Sequence, residues 1–234
     1  VAGGAARLVS DDSVIYGGRT EDAHLNLLQT ADFNWAPESS RLAFCSKKDG
    51  FPNVWISDSD GAQLRKISAN SNKDLTVNSP LWSLDGWRVA YVVSPSFSFP
   101  RAGKDMWDLW VWSEEGAASI YKSDSVMRLL GWTSDNELLV SLIANAGLNH
   151  SLPTKARIVR ISSLGGKPLV IATLPDVYSA SLRLSPDRRF VASVLSQESG
   201  ENIGIVRISD GWLRNVTDNR DKRVHYLVRL RQIQ

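Results

Sequence analysis

Hydrophobic and polar positions alternate along this chain in short runs, and one arrangement of such runs occurs four times in succession. Each copy begins with an apolar run rich in β-branched and aromatic residues, at residues 41–46, 88–93, 137–142 and 190–195. After a variable loop comes a second, alternating run, at residues 53–57, 108–112, 157–161 and 205–208. Period-two alternation of these residue types is typical of half-buried strands, so the pattern predicts an all-β fold.

A tight turn and one further short strand complete each copy. The turns are Asp60-Gly61, Glu115-Gly116, Gly165-Gly166 and Asp210-Gly211. The short strands that follow them are predicted at residues 63–67, 119–121, 169–171 and 213–216. Asp-Gly and Gly-Gly supply the positive φ that a tight hairpin needs. With an inner strand ahead of these three, each copy is expected to form a four-stranded antiparallel sheet.

A hydrophobic anchor precedes each copy, followed by a small residue and a polar turn. The anchors are Trp35, Trp82, Trp132 and Leu184, which lie 47, 50 and 52 residues apart. A period of this length indicates the blades of a β-propeller rather than a short solenoid repeat. A lone four-stranded sheet cannot cover both of its faces, whereas sheets stacked around an axis can, with each anchor between neighbouring sheets.

The repeat divides one predicted domain, residues 1–234, into units. Whole units are expected at residues 31–77, 78–126, 127–177 and 178–222, with an incomplete unit at 1–30 and a closing strand or truncated unit at 223–234. An open ring would leave exposed sheet edges, so we expect the two ends to pair and complete five blades. The alternative is a truncated chain from a ring of six or more blades; the first residue, Val1 rather than Met, fits a processed protein or a fragment.

Composition excludes some classes of function. The net charge is +2, from 27 basic and 25 acidic residues, which is too balanced to imply nucleic-acid binding. No run approaches the roughly 18 apolar residues of a membrane span. The single cysteine, Cys45, lies in an apolar run and is expected to be a core residue, which leaves both cytosol and periplasm open.

The repeat resembles that of TolB-type propellers, a WD-repeat-like family. The closest copy is Trp82-Ser83-Leu84-Asp85-Gly86, followed by Arg-Val-Ala-Tyr at residues 88–91 and Asp-Leu-Trp-Val at 108–111. The copy at residues 184–187 keeps Ser-Pro-Asp but has Leu184 in place of the tryptophan. The resemblance extends over residues 31–217.

The resemblance implies several settings for such a domain. One is a bacterial periplasmic propeller that binds other proteins, and a second is the sensory half of a protein fused to a kinase domain. A third is the accessory propeller of a prolyl-oligopeptidase-type peptidase, where a separate domain performs the chemistry. We therefore expect a monomeric propeller in the periplasm or another extracytoplasmic compartment, with a cytoplasmic location as the alternative.

A search for catalytic and metal-binding patterns finds none. The chain has no Gly-x-Ser-x-Gly elbow, no His-Glu-x-x-His and no cysteine pair. Its three histidines, His24, His150 and His225, are far apart. The segment from Asp58 to Gly61 resembles part of a calcium loop but lacks the full ligand spacing, so we interpret it as a hairpin turn. The prediction is no catalytic residue, no metal and no cofactor.

Two long loops carry the candidate binding residues, at residues 94–107 and 144–155. Aromatic side chains beside arginine dominate the energetics of protein interfaces. The candidates on these loops and on the nearby connections between blades are Phe97, Phe99, Arg101, Lys104, Trp107, His150, Asp74 and Tyr178. They predict a non-enzymatic scaffold that binds a protein or peptide through its loop-rich face, unless Phe97 and Phe99 fold back to cover blade edges.

The alternative function is an enzyme or a small-ligand binder that uses the central channel. Polar residues of the inner strands would line such a channel. The candidates are Asp32, Asn34, Asn78, Arg128, Tyr178 and Ser181.

Overall fold

The computed structural model describes residues 33–96, 106–134, 136–143, 153–178, 181–197 and 200–219. These residues form sixteen strands and no α-helix, which confirms the all-β prediction. In chain order the strands are β1 (Phe33–Trp35), β2 (Arg41–Ser46), β3 (Asn53–Asp58), β4 (Arg65–Lys66), β5 (Leu75–Trp82), β6 (Val89–Pro95), β7 (Trp107–Ser113), β8 (Gly116–Ser123), β9 (Val126–Trp132), β10 (Glu137–Ile143), β11 (Thr154–Ser162), β12 (Leu169–Val177), β13 (Arg183–Leu184), β14 (Phe190–Gln197), β15 (Gly200–Arg207) and β16 (Leu213–Asn215). Within the same ranges, no helical segment has the length and apolar character needed to cross a bilayer.

Consecutive sets of four strands form four antiparallel blades of a β-propeller. Blade 1 consists of β1–β4, blade 2 of β5–β8, blade 3 of β9–β12 and blade 4 of β13–β16. Blades 3 and 4 also share one backbone pair, Val177 with Leu195, because the end of β12 runs into the start of blade 4. The first strand of each blade is its inner strand, and successive inner strands contact one another. The described residues supply four blades, so five blades in the chain stay a prediction.

Glycines at positive φ close the turn between the third and fourth strands of every blade. Gly61, Gly116, Gly165 and Gly211 have φ values of 77°, 133°, 88° and 74°. Glycine adopts these values without the steric cost that a Cβ brings. The segment before Gly61 forms a hairpin turn, in which the Gly61 N–H donates to the carbonyl oxygen of Asp58 at 2.8 Å.

Three hydrophobic clusters fill the spaces between neighbouring blades. Side chains alternate between the two faces of a strand, so one strand contributes to two clusters. In β6, Val89 and Tyr91 pack against blade 1, whereas Ala90 and Val92 pack against blade 3. Cys45 is buried in the cluster between blades 1 and 2, as predicted. The faces of each middle blade are thus covered by its two neighbours.

A buried asparagine fastens the end of blade 1 to the connection that leads to blade 2. The Asn53 Oδ1 accepts hydrogen bonds from Ser68 Oγ and from Asn70 N–H, both at 2.8 Å. The Asn53 Nδ2 donates to the carbonyl oxygen of Asn70 at 3.0 Å. We call this set the asparagine latch.

Blade 4 repeats the latch with other residues. The Asn202 Oδ1 accepts from Thr217 Oγ1 at 3.1 Å and from Asn219 N–H at 2.7 Å. Blades 1 and 4 are the two with short loops between their second and third strands, at residues 47–52 and 198–199. The latch therefore occurs in the two blades whose second and third strands are joined by few residues.

Replacing Gly211 with alanine is expected to destabilise the protein more than replacing Gly50. Both glycines have positive φ, at 74° and 89°, so alanine meets a similar backbone cost at both positions. A Cβ at Gly211 would lie 2.1 Å from the carbonyl oxygen of Ile171 in blade 3, whereas a Cβ at Gly50 would meet nothing within 4 Å. In urea titrations, Gly211→Ala should lower the free energy of unfolding by about 1–3 kcal/mol more than Gly50→Ala. Equal losses would contradict the contact between blades 3 and 4.

Candidate functional site

A cavity lies where the inner strands of all four blades end. Its volume is about 560 Å³, within the usual range for ligand sites. Its walls come from the last residues of the inner strands and from the turns that follow them. The lining residues are Asn34, Trp35, Pro37, Leu81, Trp82, Leu84, Leu130, Gly131, Trp132, Leu184, Ser185, Pro186 and Arg188. We call it the turn-end cavity.

The turn-end cavity presents polar and apolar surface in equal measure, and its lining residues include three tryptophans, of which Trp35 is the most exposed. Among the lining residues that the structure describes there is no Asp, Glu, His, Lys or Cys. The Asn34 Oδ1 accepts a hydrogen bond from the Trp82 N–H at 2.8 Å, which joins blade 1 to blade 2. Arg188 is the single cation among the lining residues. The cavity therefore combines aromatic and aliphatic walls with one positive charge.

The anchor tryptophans differ in how much of each side chain reaches solvent. Trp82 and Trp132 are 3% and 2% exposed, whereas Trp35 is 47% exposed. The Trp132 Nε1 donates to the carbonyl oxygen of Leu81 in the preceding blade at 3.0 Å. The described residues contain no blade before blade 1, so Trp35 has no such cover from them and offers an indole face at the cavity.

An arginine from the preceding blade lies over each buried anchor ring. The Arg41 Cζ is 4.5 Å from the ring centroid of Trp82, and the Arg88 Cζ is 5.4 Å from that of Trp132. Arg41 also donates from Nη2 to the carbonyl oxygen of Gly86 at 2.6 Å. These cation–π contacts and hydrogen bonds hold the cavity walls of neighbouring blades at a fixed spacing.

Ser185 lines the cavity, but its hydroxyl group belongs to a turn. The Ser185 Oγ donates to Asp187 Oδ1 at 2.6 Å and accepts from the Phe190 N–H at 3.0 Å. The hydrogen bond from Ser185 is the main cause that lowers the pKa of Asp187 below its ordinary value. Ser83 and Asp85 make the same contact in blade 2. Because this hydrogen bond occurs in two turns, we infer that it stabilises the turns.

Most of the predicted partner-binding residues fall outside the part of the chain that the structure describes. These are Phe97, Phe99, Arg101, Lys104 and His150. Binding through the loop-rich face therefore stays a prediction.

The other three predicted partner-binding residues have different surroundings. Trp107 is 8% exposed and packs in the cluster between blades 2 and 3, so its side chain supports the core instead of offering binding surface. Asp74 is exposed, and its carbonyl oxygen accepts from the Ser96 N–H at 2.7 Å. Asp74 precedes the inner strand β5, and Tyr178 precedes the inner strand β13. Because the turn-end cavity lies where the inner strands end, both residues lie at the opposite end of the propeller.

The channel candidates have different surroundings. Asn34 lines the turn-end cavity, Asp32 lies outside the described residues, and the Asn78 Nδ2 donates to Ser94 Oγ at 3.2 Å. In the described ranges, no group of three or more His, Cys, Asp or Glu side chains is arranged to hold a metal ion.

The remaining channel candidates lie near the contact between blades 3 and 4. Burial, with a smaller effect from the charge of Arg183, lowers the pKa of Arg128 to about 10. The Ser181 Oγ donates to the carbonyl oxygen of Tyr178 at 2.6 Å and accepts from the Val194 N–H at 2.8 Å. The Ser181 hydroxyl group is therefore used in the fold.

Several lining residues were not among the sequence candidates. Pro37, Leu84 and Pro186 each lie two positions after an anchor, and all three line the turn-end cavity. An apolar residue that recurs in an otherwise polar turn is the signal that could have identified them. Arg188 has no counterpart cation at this position in the other turns, so the repeat pattern did not point to it.

Comparison with known proteins supports the fold. No protein-family model matches the chain, and no curated protein matches it. The structure of the tricorn protease is 14% identical, with a TM-score of 0.56 over 81% of this chain and 22% of that protein. A putative dipeptidyl aminopeptidase IV from Bacteroides ovatus is 10% identical, with a TM-score of 0.57 over 80% of this chain and 33% of that protein. The chain thus spans about a fifth to a third of these two structures.

A putative TolB from Agrobacterium tumefaciens is also similar. It is 18% identical, with a TM-score of 0.47 over 82% of this chain and 64% of that protein. At these identities the comparisons establish the propeller fold, while the TolB-type family assignment stays a prediction.

Proposed function

We propose that this chain is a non-enzymatic propeller module that binds a peptide, or an exposed segment of a protein, in the turn-end cavity. The observation that carries the proposal is the cavity of about 560 Å³ that all four blades build together. A concave surface that combines apolar residues with a few polar groups is typical of binding sites.

Trp35 supplies the main apolar contact in this proposal. Its side chain is 47% exposed, although it occupies the position at which Trp82 and Trp132 are buried. Tryptophan is enriched among the residues that dominate interface energetics, because it offers a large rigid surface at low entropic cost. A ligand side chain that covers this indole would gain the burial that the other anchors have within the fold.

The polar groups of the lining favour binding over catalysis. Asn34 and Ser185 use their side-chain oxygens in hydrogen bonds that hold the blades and turns. The Arg188 guanidinium offers hydrogen-bond donors and no acceptor. The lining therefore supplies shape, apolar surface and one charge.

Peptide selection with matched tryptophan variants tests the proposal. Random peptides would be displayed in two libraries, one with a free C-terminal carboxylate and one with the C-terminus blocked, and selected on the wild-type chain. Trp35→Ala should weaken the selected peptides about tenfold or more in fluorescence anisotropy. Trp212→Ala is the control, since Trp212 is equally exposed, at 46%, and does not line the cavity.

Two outcomes would reject the cavity as the site. One is that neither library yields a peptide whose affinity depends on Trp35. The other is that the selected peptides tolerate Trp35→Ala but are lost with Asp74→Ala, which would assign binding to the loop-rich face.

A second candidate is that the module serves as the accessory propeller of a longer protein, such as a peptidase or a receptor-like kinase. This candidate is favoured because the chain spans only 22% of the tricorn protease and 33% of the dipeptidyl aminopeptidase. A complete reading frame with an adjoining hydrolase or kinase domain would support it, and a signal peptide there would support the predicted extracytoplasmic location.

A further inference from the structure

We propose that the turn-end cavity recognises the C-terminus of a peptide whose last side chain is apolar, with Arg188 binding the terminal carboxylate. This ligand class presupposes the cavity as the binding site, as proposed above.

The backbone turn of blade 4 determines the position of Arg188. The residue lies between β13 and β14, and its N–H donates to the carbonyl oxygen of Ser185 at 2.9 Å. Its φ is 59°, in the left-handed region that non-glycine residues seldom adopt. This conformation places an arginine at the wall of the turn-end cavity.

The Arg188 guanidinium makes no hydrogen bond or ion pair with the described residues, unlike Arg41 at the start of β2 and Arg88 just before β6. Arg41 pairs with Glu38 at 3.4 Å, and Arg88 pairs with Asp85 at 2.8 Å. Next to Arg188, the Asp187 Oδ1 is occupied by the Ser185 hydroxyl group and by the Arg189 N–H. The fold therefore uses the charges of Arg41 and Arg88 internally and leaves that of Arg188 for a ligand.

Charge complementarity then selects an anionic ligand. Among the described lining residues there is one cation and no acidic side chain. A guanidinium binds a carboxylate through two parallel hydrogen bonds, and such charge-assisted bonds are stronger where water is excluded. One cation matches the single charge of a carboxylate, whereas a phosphate group carries nearly twice that charge and usually needs several donors.

The neighbouring apolar walls indicate why the carboxylate should be that of a chain end. In a C-terminal residue the carboxylate and the side chain leave the same Cα, so a cation beside an apolar cavity contacts both groups together. An internal Asp or Glu carries its carboxylate on the side chain itself, which would leave the aromatic walls without an apolar group to bury. Capture of a terminal carboxylate is a recurring mode of peptide recognition.

The test compares selected peptides in two chemical forms on three proteins. Peptides from the free-carboxylate library would be synthesised with a free or an amidated C-terminus. Amidation should weaken binding to the wild-type chain about tenfold or more, because it removes a charge-assisted hydrogen-bond pair. Arg188→Gln should cause a similar loss for the free form and abolish the difference between the two forms. Arg189→Gln, a change of the adjacent exposed arginine, should preserve both the affinity and the difference.

Several outcomes distinguish this inference from the proposed function. Peptides that depend on Trp35 but bind equally well when amidated would overturn carboxylate recognition and leave the cavity as a binding site. Phenylacetate is a small carboxylate with an apolar ring and no peptide bond. If it bound as tightly as the selected peptides, the ligand would not need to be a peptide. If Arg188→Gln lowers the melting temperature, the comparison of free and amidated peptides on the wild-type chain alone tests carboxylate recognition, since that comparison needs no protein variant.

Discussion

Replacing Trp132 with alanine is expected to lower the free energy of unfolding by about 3–5 kcal/mol. Trp132 is 2% exposed and belongs to the cluster between blades 2 and 3. Its removal leaves a cavity between two sheets, frees the carbonyl oxygen of Leu81 and removes the ring beneath Arg88. Equilibrium denaturation in urea, followed by circular dichroism, measures the loss.

Trp35→Ala is the matched control for this prediction. It removes the same side chain from the same repeat position, but the ring is half exposed, so we expect a loss of about 1 kcal/mol or less. The two variants should therefore differ in their main effect. Trp132→Ala should lower stability, whereas Trp35→Ala should weaken peptide binding. Equal losses of stability would contradict this account and would indicate that Trp35 is also held between two blades.

Replacing Asn53 with alanine is expected to cost about 2–4 kcal/mol, because it breaks several hydrogen bonds of the latch at a buried position. The Asn53 side chain is completely buried. Its loss removes the hydrogen bonds with Ser68 and Asn70, so that the Ser68 hydroxyl group keeps its bond from the Val54 N–H and the Asn70 N–H loses its acceptor. Urea denaturation gives the change in free energy.

Two further asparagine variants bracket this result. Asn202→Ala removes the equivalent latch in blade 4 and should give a similar loss. Asn78→Ala removes a half-buried side chain with one bond to Ser94, at 3.2 Å, and should cost about 1 kcal/mol or less. A loss at Asn53 no larger than that at Asn78 would contradict a structural role for the latch.

The strands that alternate cleanly could be predicted from the sequence, and those that contain turn-forming residues could not. The predicted run at residues 41–46 has the same bounds as β2. The bounds of the inner strand β5 could not be predicted because it contains Asn78, Ser79 and Pro80, which are typical of turns. In the structure, the strand accommodates them through a bulge between Asn78 and Leu81, with Ser79 at a φ of 55°.

The full length of β15 could not be predicted because the strand contains a glycine. The alternating pattern predicted a strand from residue 205, whereas β15 extends from Gly200 to Arg207. Gly204 pairs with Ser193 inside this strand. A Cβ at Gly204 would lie 2.5 Å from Leu195 Cδ1, so the missing side chain makes room for the packed leucine. A pattern of hydrophobic positions cannot show that a glycine serves a neighbouring side chain.

The candidate site was predictable in part. The repeat identified Trp35, Trp82, Trp132 and Leu184 as equivalent anchors, and all four line the turn-end cavity. Their equivalence did not show that Trp35 alone among the tryptophan anchors is half exposed, because that depends on which blade precedes it. The charge of Arg188 became informative only when the partners of Arg41 and Arg88 were known.

The most direct test of the central claim is a crystal structure of the chain with a selected peptide bound. We expect the last side chain of the peptide against Trp35 in the turn-end cavity, with its carboxylate on the Arg188 guanidinium. A peptide bound at the opposite end, beside Asp74 and Tyr178, with the turn-end cavity empty, would contradict the account.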